Sequence, residues 1–226
     1  MNTRKLAVNN VNEIKACGYD DECDEVLAYV NHVPSRDIDF YIYGSIEGSE
    51  KYQSMINFLE QATEYDDVTV HLDTTGGNLV TALMIARKLQ ACQANVTIFV
   101  EGACMSAGTI FMLCGRNVKF YPEAMVMFHS MSTGDWGSID KLVRRTDFDN
   151  KWWKQVANTY YKGFLTDEEI DLITTKDGEI WLTGEESAER AQKWVEYKTN
   201  PPVEKKETVT TKIKKVVKKT AKKLTD

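Results

Sequence analysis

No apolar run of about 18 residues occurs anywhere in the chain, so the sequence offers no candidate for a membrane-crossing helix. Its start, Met1-Asn2-Thr3-Arg4-Lys5, leads into polar sequence rather than an apolar signal core. Cysteines are few and odd in number: Cys17, Cys23, Cys92, Cys104 and Cys114, with no Cys-x-x-Cys pair. That argues against a disulfide framework and fits a reducing compartment, so a soluble, cytoplasmic protein is expected. Cys17, Cys23 and His32 match no usual zinc spacing and lack an evident fourth ligand, so no metal is expected. The pair Gly76-Gly77 is not followed by Lys-Ser/Thr, which argues against a phosphate-binding loop. Only three histidines are present, so a search for an acid-base group has little to sort.

What is present suffices for one globular domain with appendages: 226 residues, of which 42% are hydrophobic. The net charge of −6 hides a division. Residues 201–226 hold nine lysines against three acidic residues, while the first 200 hold 19 basic and 31 acidic residues, a net −12. An acidic body argues against general nucleic-acid binding by the main domain. Three segments are therefore drawn: a polar N-terminal arm (1–34), read as loosely ordered; a folded body (35–200); and a Lys-rich tail (201–226). The tail places Ile213, Val216, Val217, Ala221 and Leu224 at helical spacing, and is read as disordered or conditionally helical, suited to an acidic partner or surface.

Within the body the hydrophobic period alternates. Ile38–Gly44 reads as a strand, Ser49–Thr63 as an amphipathic helix and Val68–Asp73 as a strand that breaks at Thr74-Thr75-Gly76-Gly77. A second helix runs to Leu89, and a strand follows over Asn95–Val100. Strand, helix, strand, helix, strand predicts crossover α/β topology with a parallel sheet. Further strands are expected at 118–122 and 124–128, a long helix at about 138–161, and capping boxes at Thr166–Glu169 and Thr183–Glu186. The aromatics of the long helix, Trp152, Trp153, Tyr160 and Tyr161, fit either a partner surface or packing on their own domain.

Ser106 sits among small residues, Gly102-Ala103-Cys104-Met105-Ser106-Ala107-Gly108, between a strand-like run and a helix-like run ending near Gly115. Two readings are open: a nucleophile near unpaired helix N–H groups, or an N-cap on a buried helix. His129 closes an apolar strand and is the best placed of the histidines, since His71 lies within a strand and His32 in the arm. Gly76-Gly77 can expose N–H groups ahead of a helix, and Lys176–Leu182 offers carboxylates in a turn before a short strand.

Taken in order, these motifs resemble the ClpP-like serine peptidases, the proteolytic subunits of Clp proteases, over roughly residues 35–194. Thr74-Thr75-Gly76-Gly77 is similar to the family's Ser-Pro-Gly-Gly turn, the Ser106 segment to its nucleophile segment, and Val126–His129 to the strand bearing its histidine. Trp181-Leu182-Thr183 is similar to the segment after its acid. The resemblance implies the ClpP/crotonase-type α/β fold, with a long oligomerisation helix. It implies Ser106 as nucleophile, His129 as base and acid, and the N–H groups of Gly77 and Ala107 as oxyanion hole. The family's aspartate position holds Glu179 here, with Asp177 as the alternative acid. No cofactor is implied. Homo-oligomeric stacked heptameric rings are, together with unfolded protein or peptide substrates and an AAA+ unfoldase that would use the ATP. Thr69, His71 and Ala91 stand where the family often has aromatics for that unfoldase, which weakens the expectation of standard docking. Three other readings remain: a catalytically silent Clp-like subunit, a crotonase-type acyl-CoA enzyme, and a phage-type relative acting on capsid or scaffold proteins.

Overall fold

The structure, a computed structural model, describes residues 11–14, 28–31, 35–134 and 136–199. Cys17, Cys23, His32 and the Lys-rich tail lie outside the described residues. The N-terminal arm differs from its reading as loosely ordered. β1 (Val11–Ile14) and β2 (Ala28–Asn31) pair antiparallel, so at least these eight residues form a two-stranded ribbon.

The body is a six-stranded sheet with helices. β3 (Asp37–Ile46) leads through a 3-10 turn at Ser49–Tyr52 into α1 (Gln53–Gln61), whose buried face is Met55, Ile56 and Leu59. β4 (Asp67–Gly77) is followed by α2 (Leu79–Ala91), capped by Asn78, whose side-chain oxygen accepts the Thr81 N–H at 3.0 Å. β5 (Asn95–Met105) precedes the short α3 (Gly108–Met112). β6 (Asn117–Phe120) and β7 (Met125–His129) come next, then α4 (Ile139–Tyr160), α5 (Asp167–Thr175), β8 (Glu179–Thr183) and α6 (Gly184–Thr199).

The spatial order is β3-β4-β5-β7-β8, with β6 beside the first half of β5. β3, β4 and β5 pair in parallel, as their crossover helices require. β5 forks: residues 97–100 pair with β6 and residues 103–105 with β7, both in parallel. The parallel sheet expected from the sequence holds from β3 to β7, and the edge strand β8 adds to it antiparallel to β7. One further expectation is corrected. β4 does not break at Thr74, since Ile46 on β3 and Cys104 on β5 pair with Gly77 and Thr74 and keep its end in the sheet. Ser106 sits at the strand-to-helix junction the sequence suggests, with β5 running to Met105 and α3 beginning at Gly108.

One face of the sheet carries the core. Ile42, Val70, Leu72, Ile98, Val100 and Val126 point inward against Ile85, Leu89, Ile110 and Phe111 of the helices. Of the two readings of the long helix's aromatics, packing on their own domain holds: Trp153, Tyr160 and Tyr161 are buried and Trp152 lies partly buried against the core. Ile139, Val143 and Phe148 stand exposed along the first half of the helix. Both threonine capping boxes form: Thr166 with Glu169 and Thr183 with Glu186.

The loop entering β4 is fixed by a buried carboxylate. Asp66 accepts from the Arg36 guanidinium at 2.7 and 2.9 Å, and from the Thr63 N–H and hydroxyl at 2.7 and 3.0 Å. The Arg36 bond, and after it the Thr63 N–H, hold its pKa well below the ordinary carboxylate range. A depressed folded-state pKa stabilises at pH above the unfolded value of about 4, and that stabilisation is lost as pH falls further. Asp66→Asn is thus expected to melt well below the parent at pH 7, with the gap narrowing from about pH 4 downward. Thermal unfolding at several pH values checks this, and a gap independent of pH would overturn it.

Candidate active site

Three strands converge at their C-terminal ends to build the site. β5 delivers Ser106 immediately past its last residue, β7 ends on His129, and β4 ends on Gly76-Gly77. The Ser106 N–H donates to the Met127 carbonyl at 2.9 Å, continuing the β5–β7 ladder by one residue. Ser106 then turns into the left-handed region at φ +53°. Left-handed backbone at a non-glycine residue stores strain of about 1–3 kcal/mol and gathers at functional sites. Its hydroxyl points out of the turn and lies 2.7 Å from His129 Nε2.

That contact removes the N-cap reading. The residue capping α3 is Ala107, and no side chain caps the helix. Ser106 supports the helix through its carbonyl instead, which accepts from the Thr109 N–H at 3.0 Å and the Thr109 hydroxyl at 2.7 Å. The Thr109 hydroxyl also lies 2.8 Å from the buried Tyr161 hydroxyl, tying the turn to the end of α4. Sequence reasoning missed Thr109. Its signal was a buried hydroxyl one turn after the serine, in an otherwise apolar run.

Strain at Ser106 makes a prediction about stability. Glycine adopts φ +53° without the Cβ penalty, so Ser106→Gly is expected to exceed Ser106→Ala in stability by about 1 kcal/mol. Denaturant unfolding of the two variants checks this, and equal midpoints would argue against a strained turn.

The glycine pair is needed for close approach. A Cβ on Gly76 would lie 2.6 Å from Ser106 Cβ, and one on Gly77, at φ +140°, 2.3 Å from the Ile46 carbonyl oxygen. Gly77, Ala107, Ser106 and His129 line one cavity of about 170 Å³, with Leu79 and Met131 as its apolar wall. Ala107 opens α3, where first-turn N–H groups have no acceptor within the helix. The four residues named from the sequence as nucleophile, base and oxyanion donors therefore meet at one cavity. Beside it runs a larger cleft of about 660 Å³. Ser130, Met131 and Trp153 line both, and Lys151 and Lys154 of α4 flank the larger one. Ser130 and Trp153 are fixed by donating to the Ile173 carbonyl, at 2.9 and 3.1 Å.

The two acid candidates fall in different places. Glu179 is the β8 residue directly across from His129 in the β7–β8 register, so both side chains leave the same face. Its carboxylate accepts the Trp181 indole N–H at 3.0 Å, and among the described residues no carboxylate is hydrogen-bonded to His129. Asp177 lies in the turn before β8 at φ +52°, and lines the larger cleft. Glu179 thus faces the histidine without bonding it, and Asp177 does not share the small cavity.

Of the other sequence-marked positions, His71 lies on the opposite, outward face of the sheet with Thr69, and Ala91 ends α2. His71 is engaged by Glu101 at 2.8 Å and Asp39 at 3.3 Å.

Chemically, the arrangement pairs a hydroxyl with an imidazole acceptor next to a cavity edged by backbone N–H groups. This is equipment for nucleophilic attack on a carbonyl. Comparison with known proteins points the same way. A family model described as Clp protease matches residues 22–190. A curated relative, "ATP-dependent Clp protease proteolytic subunit 2" of Rhodococcus jostii (strain RHA1), is 22% identical over 126 residues. The alignment covers 54% of this chain and 64% of that relative, so the chain spans slightly under two thirds of the relative's length.

Proposed function

The chain belongs to the Clp protease family, and from that premise we propose that it is a serine endopeptidase, the proteolytic subunit of a Clp-type self-compartmentalising protease. The observation that carries the reading is the 2.7 Å contact between Ser106 Oγ and His129 Nε2, made from a left-handed turn at the mouth of a cavity. A serine hydroxyl is a weak nucleophile until a base takes its proton.

In the proposed reaction, Nε2 of neutral His129 accepts the Ser106 proton as Oγ bonds to the scissile carbonyl carbon. The carbonyl oxygen becomes an oxyanion facing the Gly77 and Ala107 N–H groups. Imidazolium then gives its proton to the departing amine nitrogen, which breaks the C–N bond and leaves an acyl ester on Ser106. Water, deprotonated by His129, attacks the ester, and the proton returns to Oγ as the acid product leaves. With Nε2 as acceptor, Nδ1 carries a proton that needs an acceptor, and Glu179 is the carboxylate registered opposite the ring.

We further infer assembly into stacked seven-membered rings around an enclosed chamber. The exposed Ile139 and Val143, neighbours on one face of α4, with Phe148 exposed further along, support this, because bare apolar residues on a helix favour burial against another copy. The substrates would be unfolded proteins or peptides, delivered by an ATP-using unfoldase, in a cytoplasmic setting. A catalytically silent subunit is the reading to beat, since the Glu179 carboxylate is bonded to Trp181.

A fluorophosphonate probe on the purified oligomer separates the two. Labelling of the parent, absent in Ser106→Ala, is expected. A parent that fails to label would favour the silent subunit.

A further inference from the structure

Among the described residues, no helix covers the second face of the sheet formed by β3 to β6. Parallel sheets are almost always covered on both faces, because crossover helices lie on either side. Here the core-forming helices take one face, and the other presents Tyr41 at 60% exposure, Tyr43 at 54% and Tyr121 at 48%. The rings form a continuous strip: Tyr41 stacks on His71 with centroids 4.7 Å apart and packs against Tyr43, while Phe99 lies 4.9 Å from Tyr121.

Acidic groups surround the strip. The outward positions of these four strands hold Asp37, Asp39, Asp67, Asp73 and Glu101, against Lys119. Glu101 is fixed at the centre, accepting the Tyr43 hydroxyl at 2.6 Å and bonding His71 at 2.8 Å. The Tyr43 hydrogen bond, and after it the His71 bond, favour its ionised form.

The chain carries a segment of the opposite character. After Thr199, where α6 ends, come 27 more residues, including the nine lysines and the apolar spacing Ile213, Val216, Val217, Ala221 and Leu224. Extended, such a segment spans up to about 90 Å. A domain of this size has a radius of gyration of about 15 Å, so the segment reaches any point on its surface.

We propose that residues 203–226 dock on the outward sheet face of their own chain, with lysines over its carboxylates and the apolar residues against the Tyr41–Tyr43–Phe99–Tyr121 strip. Charge complementarity and the sheet face that no described helix covers single out this occupant: the body is acidic, and this segment holds its own concentrated positive charge. Because the attraction is between largely exposed charges, the docked state weakens with salt.

Zero-length carbodiimide cross-linking of the full chain, mapped by mass spectrometry on a mixture of isotopically light and heavy protein, tests the proposal. The expected result is cross-links from tail lysines to Asp37, Asp39, Asp73 or Glu101 within one isotopic copy, falling about tenfold between 0.05 and 1 M salt. In parallel, tryptic cleavage after the tail lysines is expected to quicken about tenfold in Asp37→Lys/Asp39→Lys, both exposed positions, if cleavage follows the undocked population. Light-to-heavy cross-links, equal cross-linking to carboxylates elsewhere on the body, or unchanged tryptic rates would each overturn it.

Discussion

Replacing Ser106 by alanine is expected to lower kcat for peptide hydrolysis by about 10⁴–10⁶-fold while leaving KM within a few-fold of the parent. The hydroxyl bonds His129 in the free protein and forms its covalent bond to substrate only on the way to the transition state. Its loss therefore removes stabilisation of the transition state and little of the ground state. The cavity with the Gly77 and Ala107 N–H groups survives the change, so a residue of catalysis over water is expected to remain. Steady-state cleavage of short fluorogenic peptides measures both constants. Retention of more than about 1% of kcat would remove Ser106 from the nucleophile's role.

The next largest effect is expected at Glu179. Glu179→Gln keeps the size of the side chain and removes its charge, and is expected to cost about 10³–10⁴-fold in kcat. Asp177→Asn is expected to stay within about threefold of the parent, because Asp177 lines the larger cleft and not the cavity of Ser106 and His129. Strand register gives the physical reason. Across an antiparallel pair, directly opposed residues have Cβ atoms about 4.5–5.5 Å apart, within reach of a glutamate and an imidazole. Asp177 lies before β8 begins and has no such partner. Trp181 supplies an internal control. Its indole N–H holds the Glu179 carboxylate at 3.0 Å, so Trp181→Phe is expected to free the acid and raise kcat about two- to fivefold. A full loss in Asp177→Asn with an active Glu179→Gln would exchange the two assignments.

How far the sequence could be read depended on whether the information was local. Ser106 and His129 were legible as strand-end positions, Ser106 just past β5 and His129 closing β7, with their roles taken from the family resemblance, and Thr166 and Thr183 because a capping box lies within four residues. The fate of Thr74–Gly77 was not, since glycines favour a break and only the pairing partners Ile46 and Cys104 keep that stretch in the sheet. The direction of β8 was equally hidden. A five-residue strand carries no sign of whether its neighbour runs with or against it, yet that direction brings Glu179 to His129. The exposed aromatic strip escaped for a similar reason. Tyr41, Phe99 and Tyr121 each look like an ordinary outward strand position until three separate strands set them side by side. The aromatics of α4 were ambiguous because an apolar stripe on a helix looks the same whether its own domain or another surface covers it, and only the fold shows that Trp153, Tyr160 and Tyr161 are buried at home.

The bond from the Ser106 N–H to the Met127 carbonyl has a consequence for motion. It couples Ser106 and His129 through one rung of the ladder, so when β7 shifts relative to the core, both groups move as a single body. Breathing of the sheet would thus alter the shape of the cavity before it altered the serine–histidine distance. Glu179 belongs to the same body through the β7–β8 ladder, but it sits on the edge strand with its carboxylate bonded to Trp181, so its side chain can turn without moving the Ser106–His129 pair.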